Sequence, residues 1–260
     1  MKKKSSKKHA QFKIPKLGKK HIPYAVVLLL VLYLIFAYNY LYYVQRASHI
    51  PWPNNQHVYQ FGNSGAPNEL YISLGDSLTY GFGTADFKDG YTYQVASSLA
   101  AGGENITLKD YSYPGFRTDD VIKQLDLVIA DKPKIITLFI GVNDTHQLVE
   151  TSNFQKNYAE ILSRLTTETD AKIYAINVPL LGADTIQWFP YNYFFDYRTK
   201  QHNQTIKQLT SEYRVDYIDV YSPTAELFRD KGGHYSRDSF HPSAAGYDLL
   251  ARIIENDINN

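Results

Sequence analysis

The 260-residue chain contains no cysteine, which rules out disulfides, thiolate metal sites and cysteine nucleophiles whatever the redox state of its compartment. Acidic residues are missing from the first twenty positions, which hold nine lysines, and every charged side chain is missing from Ile22 to Gln45. There is no internal repeat, and no low-complexity tract follows the N-terminal lysines. With 44% hydrophobic and 20% charged residues, the composition excludes a disordered chain. The length suffices for one substantial core with an appendage.

The net charge of +1 conceals a sorting along the chain, because beyond the lysine-rich start 18 basic residues face 26 acidic ones. The uncharged stretch after the lysines has the centre "YAVVLLLVLYLIFAY". A helix over 24–44 would span about 31 Å, which matches a hydrocarbon core of roughly 30 Å. A secretory signal peptide would have a shorter apolar core and a small-x-small cleavage site. Here the run ends "NYLYYVQR", whose tyrosines suit a membrane interface. A buried core helix and a basic nucleic-acid-binding arm are the other readings, and nine lysines set directly against an apolar span count against both. The expectation is a basic cytoplasmic tail (1–21), a transmembrane anchor (22–45), and a single-pass protein of the cell membrane whose remaining residues lie on the extracytoplasmic side.

Residues 46–68, rich in Pro, Gly and Asn, read as a linker, and the globular domain as 69–260. Within it, strand candidates at 70–75, 106–112, 135–141, 172–178 and 215–220 alternate with helix candidates near 91–101, 119–130, 154–168, 197–213 and 244–257. Several strands are apolar on both faces. This alternation implies a mostly parallel sheet covered on both sides, with any site in the loops at the carboxyl ends of its strands.

Those loops carry Gly75, Asp76 and Ser77 after the first strand, Gly115 after the second, and Asn143 and Asp144 after the third. "DSFHPS" sets Asp238 and His241 three apart before the last helix. A serine hydroxyl attacks only with a neighbouring base, which an imidazole supplies when a carboxylate holds its other nitrogen. Asp238 and His241 have the spacing for that pairing. The Ser77 amide, the Gly115 amide and the Asn143 side chain are three donors available to an oxyanion. Each residue also has a plainer reading: Ser77 as a helix cap, Gly115 as a left-handed turn, Asn143 as an Asx-turn, Asp238 as a turn residue and His241 as a surface histidine. Asp76 and Asp144 are expected to brace their loops through backbone hydrogen bonds. His146 and His234 lack partners at metal-ligand spacing and read as loop residues.

Taken in order, "GDSLTYG", the glycine of "YSYPGFRT", "GVND" and "DSFHPS" resemble the four blocks of the GDSL, or SGNH, serine hydrolase family. The resemblance covers 70–258 and not the apolar N-terminal stretch. It implies an α/β fold: a flavodoxin-like three-layer α/β/α sandwich around a five-stranded parallel sheet. It further implies Ser77 as nucleophile, Ser77, Gly115 and Asn143 as oxyanion hole, His241 as base and Asp238 as its partner. The second block departs from the Asn-Ala-Gly of many relatives, so Gly115 rests on its order and its place after a strand. Leu78 and Thr79 follow the serine, unlike the Gly-x-Ser-x-Gly elbow of α/β-hydrolases.

The expected activity is hydrolysis of a carboxylic ester through an acyl-serine, with no metal and no organic cofactor, on a small-molecule or lipid ester, and with no nucleic acid partner. The resemblance favours the lysophospholipase- and thioesterase-like lipolytic branch. Removal of acetyl groups from cell-wall polysaccharide is the alternative within the fold, and a tethered lipid- or glycan-binding module without turnover is the alternative outside enzymes. Phosphodiester cleavage would need a cluster of acids and histidines for metal ions, and the four loops offer too few. The stretch 184–197 packs seven aromatics into fourteen residues and reads either as an apolar wall for an acyl chain or as a segment packed on the core.

Overall fold

Strands and helices alternate as expected, with additions. After helix α1 (Ile22–Ala47) come strands β1 (Val58–Phe61) and β2 (Asn68–Gly75), then α2 (Tyr91–Ala101), β3 (Asn105–Ser112), α3 (Thr118–Ala130) and β4 (Ile135–Phe139). The chain continues through the short α4 (Val142–His146), α5 (Thr151–Glu168), β5 (Lys172–Ile176), α6 (Tyr191–Tyr213), β6 (Asp216–Ile218), α7 (Tyr221–Leu227) and α8 (Ala244–Ile258). This computed structural model describes residues 18–47, 52–62, 68–180, 191–227 and 233–259. It divides into two units, Met1–Leu41 and Tyr42–Asn260.

In the first unit, Ile22–Leu41 has a mean hydropathy of 2.1 and none of it is buried. By length and composition it can cross a membrane, a test that a signal sequence near an N-terminus also passes. The tail expected at 1–21 lies mostly outside the described residues.

In the second unit the sheet runs β1-β3-β2-β4-β5-β6. All neighbours from β3 to β6 are parallel, with Gly75 of β2 opposite Ser112 on one side and Phe139 on the other. The sixth strand corrects two expectations. The sheet is not five-stranded and wholly parallel, and 46–68 is not only a linker, because β1 pairs antiparallel with β3, Val58 opposite Lys109 and Phe61 opposite Ile106. The alternation that makes it a strand is only four residues long. Tyr59 turns inward to stack on Phe87 at 4.9 Å and Phe61 meets Tyr93 at 4.8 Å, while Val58 and Gln60 stay exposed.

Strand order reverses at β2, so right-handed crossovers send α2 and α3 to opposite faces. Helix α2 packs with α8, and α5 packs between α3 and α6, which gives the three layers expected. Residues Tyr71, Ile72, Leu74, Ile136 and Leu138 are fully buried, as central parallel strands require. Two of the buried phenols are satisfied from neighbouring elements: Tyr71 bonds Thr137 at 2.9 Å and Tyr91 bonds Thr79 at 3.2 Å. The order reverses between β2 and β4, and beyond the carboxyl ends of such a pair is where sites of open α/β sheets form; β2 delivers Ser77 to that edge.

Gly75 is what lets β2 end there. A Cβ at this position would stand 2.2 Å from Thr79 Oγ1 and 2.4 Å from the Phe139 carbonyl oxygen, and the carbonyl belongs to the neighbouring strand and cannot retreat. Gly75→Ala should therefore cost about 1–3 kcal/mol or more by overpacking. Urea denaturation reads this as a lowered midpoint at unchanged slope. An unshifted midpoint would mean that the turn has slack.

Candidate active site

The tight loop 236–241 folds back on itself. The Ser236 amide donates to the His241 carbonyl at 2.8 Å, the Ser239 amide to the Ser236 carbonyl at 2.9 Å, and Tyr235 bridges Pro242. Within this loop the fully buried Asp238 accepts at Oδ1 from Ser236 Oγ (2.6 Å), the Phe240 amide (2.9 Å) and the His241 amide (3.0 Å). Its Oδ2 takes a short bond from His241 Nδ1. Burial alone would raise this carboxyl, but the His241 bond and charge, the Ser236 hydroxyl and the Phe240 amide outweigh it and hold Asp238 below its ordinary range. It is a carboxylate at neutral pH. The other imidazole nitrogen, Nε2, lies 3.0 Å from Ser77 Oγ, 164 residues away in sequence. Both side chains are buried, Ser77 at 4% and His241 at 7% exposure.

Hydrogen bonds tie the remaining loops into one edge. The Tyr113 amide donates to the Gly75 carbonyl at 3.4 Å, Asn143 Nδ2 donates to the Phe116 carbonyl at 2.9 Å, and Asp144 accepts from the Thr118 amide at 3.1 Å and the Thr118 hydroxyl at 2.6 Å. Asp76 accepts from the Leu78 amide at 2.9 Å. Asp76 and Asp144 thus brace their loops as expected. Gly115 has φ +91° with open space where a Cβ would be, so its glycine is a matter of backbone conformation and not of crowding. It is exposed beside Phe116, to whose carbonyl Asn143 is bound. Burial raises Asp76 to about 7, with the Asp144 charge adding to the effect and the Leu78 and Val142 amides opposing it.

A family model described as the GDSL-like Lipase/Acylhydrolase family matches residues 73–249. The chain belongs to this family. It is 26% identical over 201 residues to the spore germination lipase LipC of Bacillus licheniformis, covering 70% of this chain and 92% of that protein. Among solved structures, the lipase/acylhydrolase of Enterococcus faecalis superposes with a TM-score of 0.60 at 22% identity, covering 73% and 95% of the two chains. The acetylxylan esterase Axe2 of Geobacillus stearothermophilus superposes at 0.59 and 19% identity, covering 77% and 96%. These two likenesses establish the fold. As a GDSL-family hydrolase, the protein is a serine hydrolase of carboxylic esters.

Several side chains around the GDSL-family edge are not evident from sequence. Phe82 meets the His241 ring at 4.7 Å, and the Tyr247 hydroxyl, from α8, donates to the Phe82 carbonyl at 2.7 Å. His146 is the last residue of α4 rather than a loop residue. It lies between Phe195, stacked at 4.5 Å, and Phe240, edge-on at 4.8 Å. Burial, then the nearby His241, pushes His146 down to about 3, so it is a neutral ring. Of the aromatic stretch, 184–190 lies outside the described residues. The remainder opens α6, with Phe195 on His146 and Tyr193, Phe194 and Tyr197 exposed. His234 does lie in a loop, its carbonyl accepting from the Ser243 amide at 2.8 Å. Among the described residues no group of three His, Asp or Glu side chains forms a metal site. The signal that could have found Phe82 is its place five residues beyond the serine, in the turn that must close over it.

Proposed function

We propose that this chain is a membrane-anchored esterase in which Ser77 is the nucleophile, His241 the general base and Asp238 the carboxylate that orients it. The observation that carries the reading is the 3.0 Å approach of His241 Nε2 to Ser77 Oγ, with Nδ1 already engaged by a carboxylate. An imidazole whose Nδ1 proton is held there is free to accept at Nε2. His241 takes the Ser77 proton as Oγ attacks the ester carbonyl, and the oxyanion that forms is met by the amides of Ser77 and Gly115 and by Asn143. The Asn143 amide group has two hydrogens, and only one is needed for the Phe116 carbonyl. Collapse of the tetrahedral species breaks the ester C–O bond, and His241 returns the proton to the departing alcohol. Water, deprotonated by the same nitrogen, then attacks the acyl-serine and releases the acid.

The apolar Ile22–Leu41 segment, preceded by nine lysines and followed by a tyrosine belt, supports an anchor with the basic tail in the cytoplasm and the hydrolase domain outside. The substrate is read as a lipid or other apolar carboxylic ester. Deacetylation of polysaccharide is the second reading, favoured by the fold likeness to an acetylxylan esterase.

A hydrolysis panel of lysophospholipids, short aryl esters and acetylated oligosaccharides separates the two. The lipid reading expects kcat/KM to rise from aryl acetate to lysophospholipid. A preference for acetylated sugars would replace it with the second reading. Protease treatment of intact cells should remove the domain, and its survival until lysis would reverse the proposed orientation.

A further inference from the structure

The segment expected to be a linker brings a tryptophan to the rim of the site. Trp52 sets its indole edge-on against Phe82 at 5.2 Å and Tyr80 at 6.0 Å, and tilted against Tyr113 at 6.1 Å. Phe82 in turn touches the His241 ring, and Tyr113 stands two residues before Gly115. The inner rings, Tyr80 and Phe82, are buried, whereas Trp52 is 54% and Tyr113 49% exposed. A tryptophan that served only to cover the sheet would be covered in turn. This one leaves half its surface open beside the reactive pair.

The strap that carries it is firmly held. Asn54 bridges Asp86, the His57 carbonyl accepts from the Asp110 amide at 2.8 Å, and the His57 amide donates to Asn55 Oδ1 at 2.7 Å. Asn55 Nδ2 donates to Asp110 Oδ2 at 2.5 Å. Asp110 is a buried carboxylate on β3 whose Oδ1 is already held by Ser73 Oγ at 2.8 Å and Ser112 Oγ at 2.7 Å. His57 sits at φ +60°, a conformation that residues other than glycine seldom adopt, and these bonds oblige it to do so. A buried acid, fixed from the sheet side by two hydroxyls, thus takes hold of the strap at Asn55 and keeps Trp52 in register with β3.

We infer that Trp52 is a specificity-determining residue for this esterase. With Tyr113 it forms an aromatic wall that takes up the hydrocarbon portion of the ester, and Asp110 is the positioning residue that clamps the wall's strap. The inference rests on the proposed role of Ser77, since that role makes the rim a substrate-binding surface. Hydrocarbon laid on aromatic faces gains in proportion to the area removed from water, so the wall favours a longer acyl chain or a bulkier alcohol over a minimal ester.

The test uses the full-length protein in detergent and two ester series: p-nitrophenyl acetate, butyrate and octanoate, which vary the acyl side, and methyl and benzyl butyrate, which vary the alcohol. In Trp52→Ala the octanoate-to-acetate or the benzyl-to-methyl ratio of kcat/KM should fall about tenfold, as expected for loss of about 50 Å² of hydrocarbon contact. The fall should lie in KM, and Trp52→Phe should restore most of it. Which ratio moves tells which side of the ester the wall holds. Asn55→Ala, which unfastens the strap while leaving Asp110 and its bonds to Ser73 and Ser112 in place, should shift the same ratio by less, and Asp110→Asn likewise.

Both ratios unchanged, or a uniform drop in kcat across all five esters, would overturn the inference, the second outcome marking Trp52 as structural. Ser77→Ala on p-nitrophenyl acetate separates the two layers. If that variant is inactive and the ratios stand still, only the wall is wrong. If that variant retains activity, the reading of Ser77 falls and takes the wall with it.

Discussion

Ser77→Ala should lower kcat/KM on a short aryl ester by about 10⁴-fold or more, to the level left by binding and oxyanion contacts alone. The size follows from chemistry, because alanine supplies no atom to form the acyl intermediate and the remaining route is direct attack by water. The fold should survive. Position 77 holds its turn through the backbone, with the Phe82 amide donating to its carbonyl at 2.9 Å, and an alanine fits where a serine is 4% exposed. A fluorophosphonate, which reacts only with an activated hydroxyl, should label the wild type stoichiometrically and the variant not at all. An unlabelled wild type would favour the binding-module alternative. A labelled Ser77→Ala would move the nucleophile elsewhere.

The parts of this molecule legible in its sequence are those whose physics is local. Strands β2, β4 and β5 are short, mostly apolar runs, β3 alternates along its length, and the helices between them carry an apolar stripe, so a sheet covered on both faces follows from the pattern. Ser77 and Asn143 stand out because polar residues at strand ends must be explained, and a parallel sheet gathers such ends on one edge, whereas Asp238 and His241 stand out by their spacing of three ahead of the last helix. Boundaries shift where side chains replace backbone partners. The fourth candidate strand was expected to reach 178, yet β5 stops at Ile176 because Asn177 Oδ1 takes the amides of Val220 and Tyr221 at 2.8 and 2.9 Å.

The features hidden from the sequence depend on contacts distant along the chain. Strand β1 has four residues and an alternation too brief to stand out among prolines and asparagines, and its place is set by β3, some fifty residues on. The strap before it is fixed by Asp110 through Asn55, again across fifty-five positions. No window of sequence contains both partners. The same holds for Tyr247, which reaches back 165 residues to the Phe82 carbonyl and so joins the last helix to the loop closing over the serine. The Tyr247 contact pins the turn that follows Ser77, and the Asn55 contact pins the strap that precedes β1. The local pattern therefore determines the scaffold, and the distant contacts determine how the rim is shaped around Ser77.

Asp238→Asn should lower kcat by about 10⁴-fold while leaving the loop folded. Asparagine keeps an oxygen at Oδ1, so the bonds from Ser236 Oγ, the Phe240 amide and the His241 amide can all persist. At the other position an acceptor becomes an NH2 donor facing Nδ1 of His241. The ring must then accept at Nδ1 and carry its proton on Nε2, where it faces Ser77 Oγ across 3.0 Å and no longer serves as a base. The signature is a collapse of kcat and of fluorophosphonate labelling rate, with KM for a small ester little altered. Acid stability offers a second reading with the sign fixed in advance. The folded Asp238 carboxyl lies below its ordinary value of 3.8, so its ionised form contributes stability that is present above about pH 4 and lost in stronger acid. The variant lacks that contribution, and its melting temperature should decline less steeply than the wild type's as pH falls below about 4. A variant that melts normally and hydrolyses within tenfold of the wild type would show that His241 needs no carboxylate to hold its tautomer, and the triad would reduce to a serine–histidine pair.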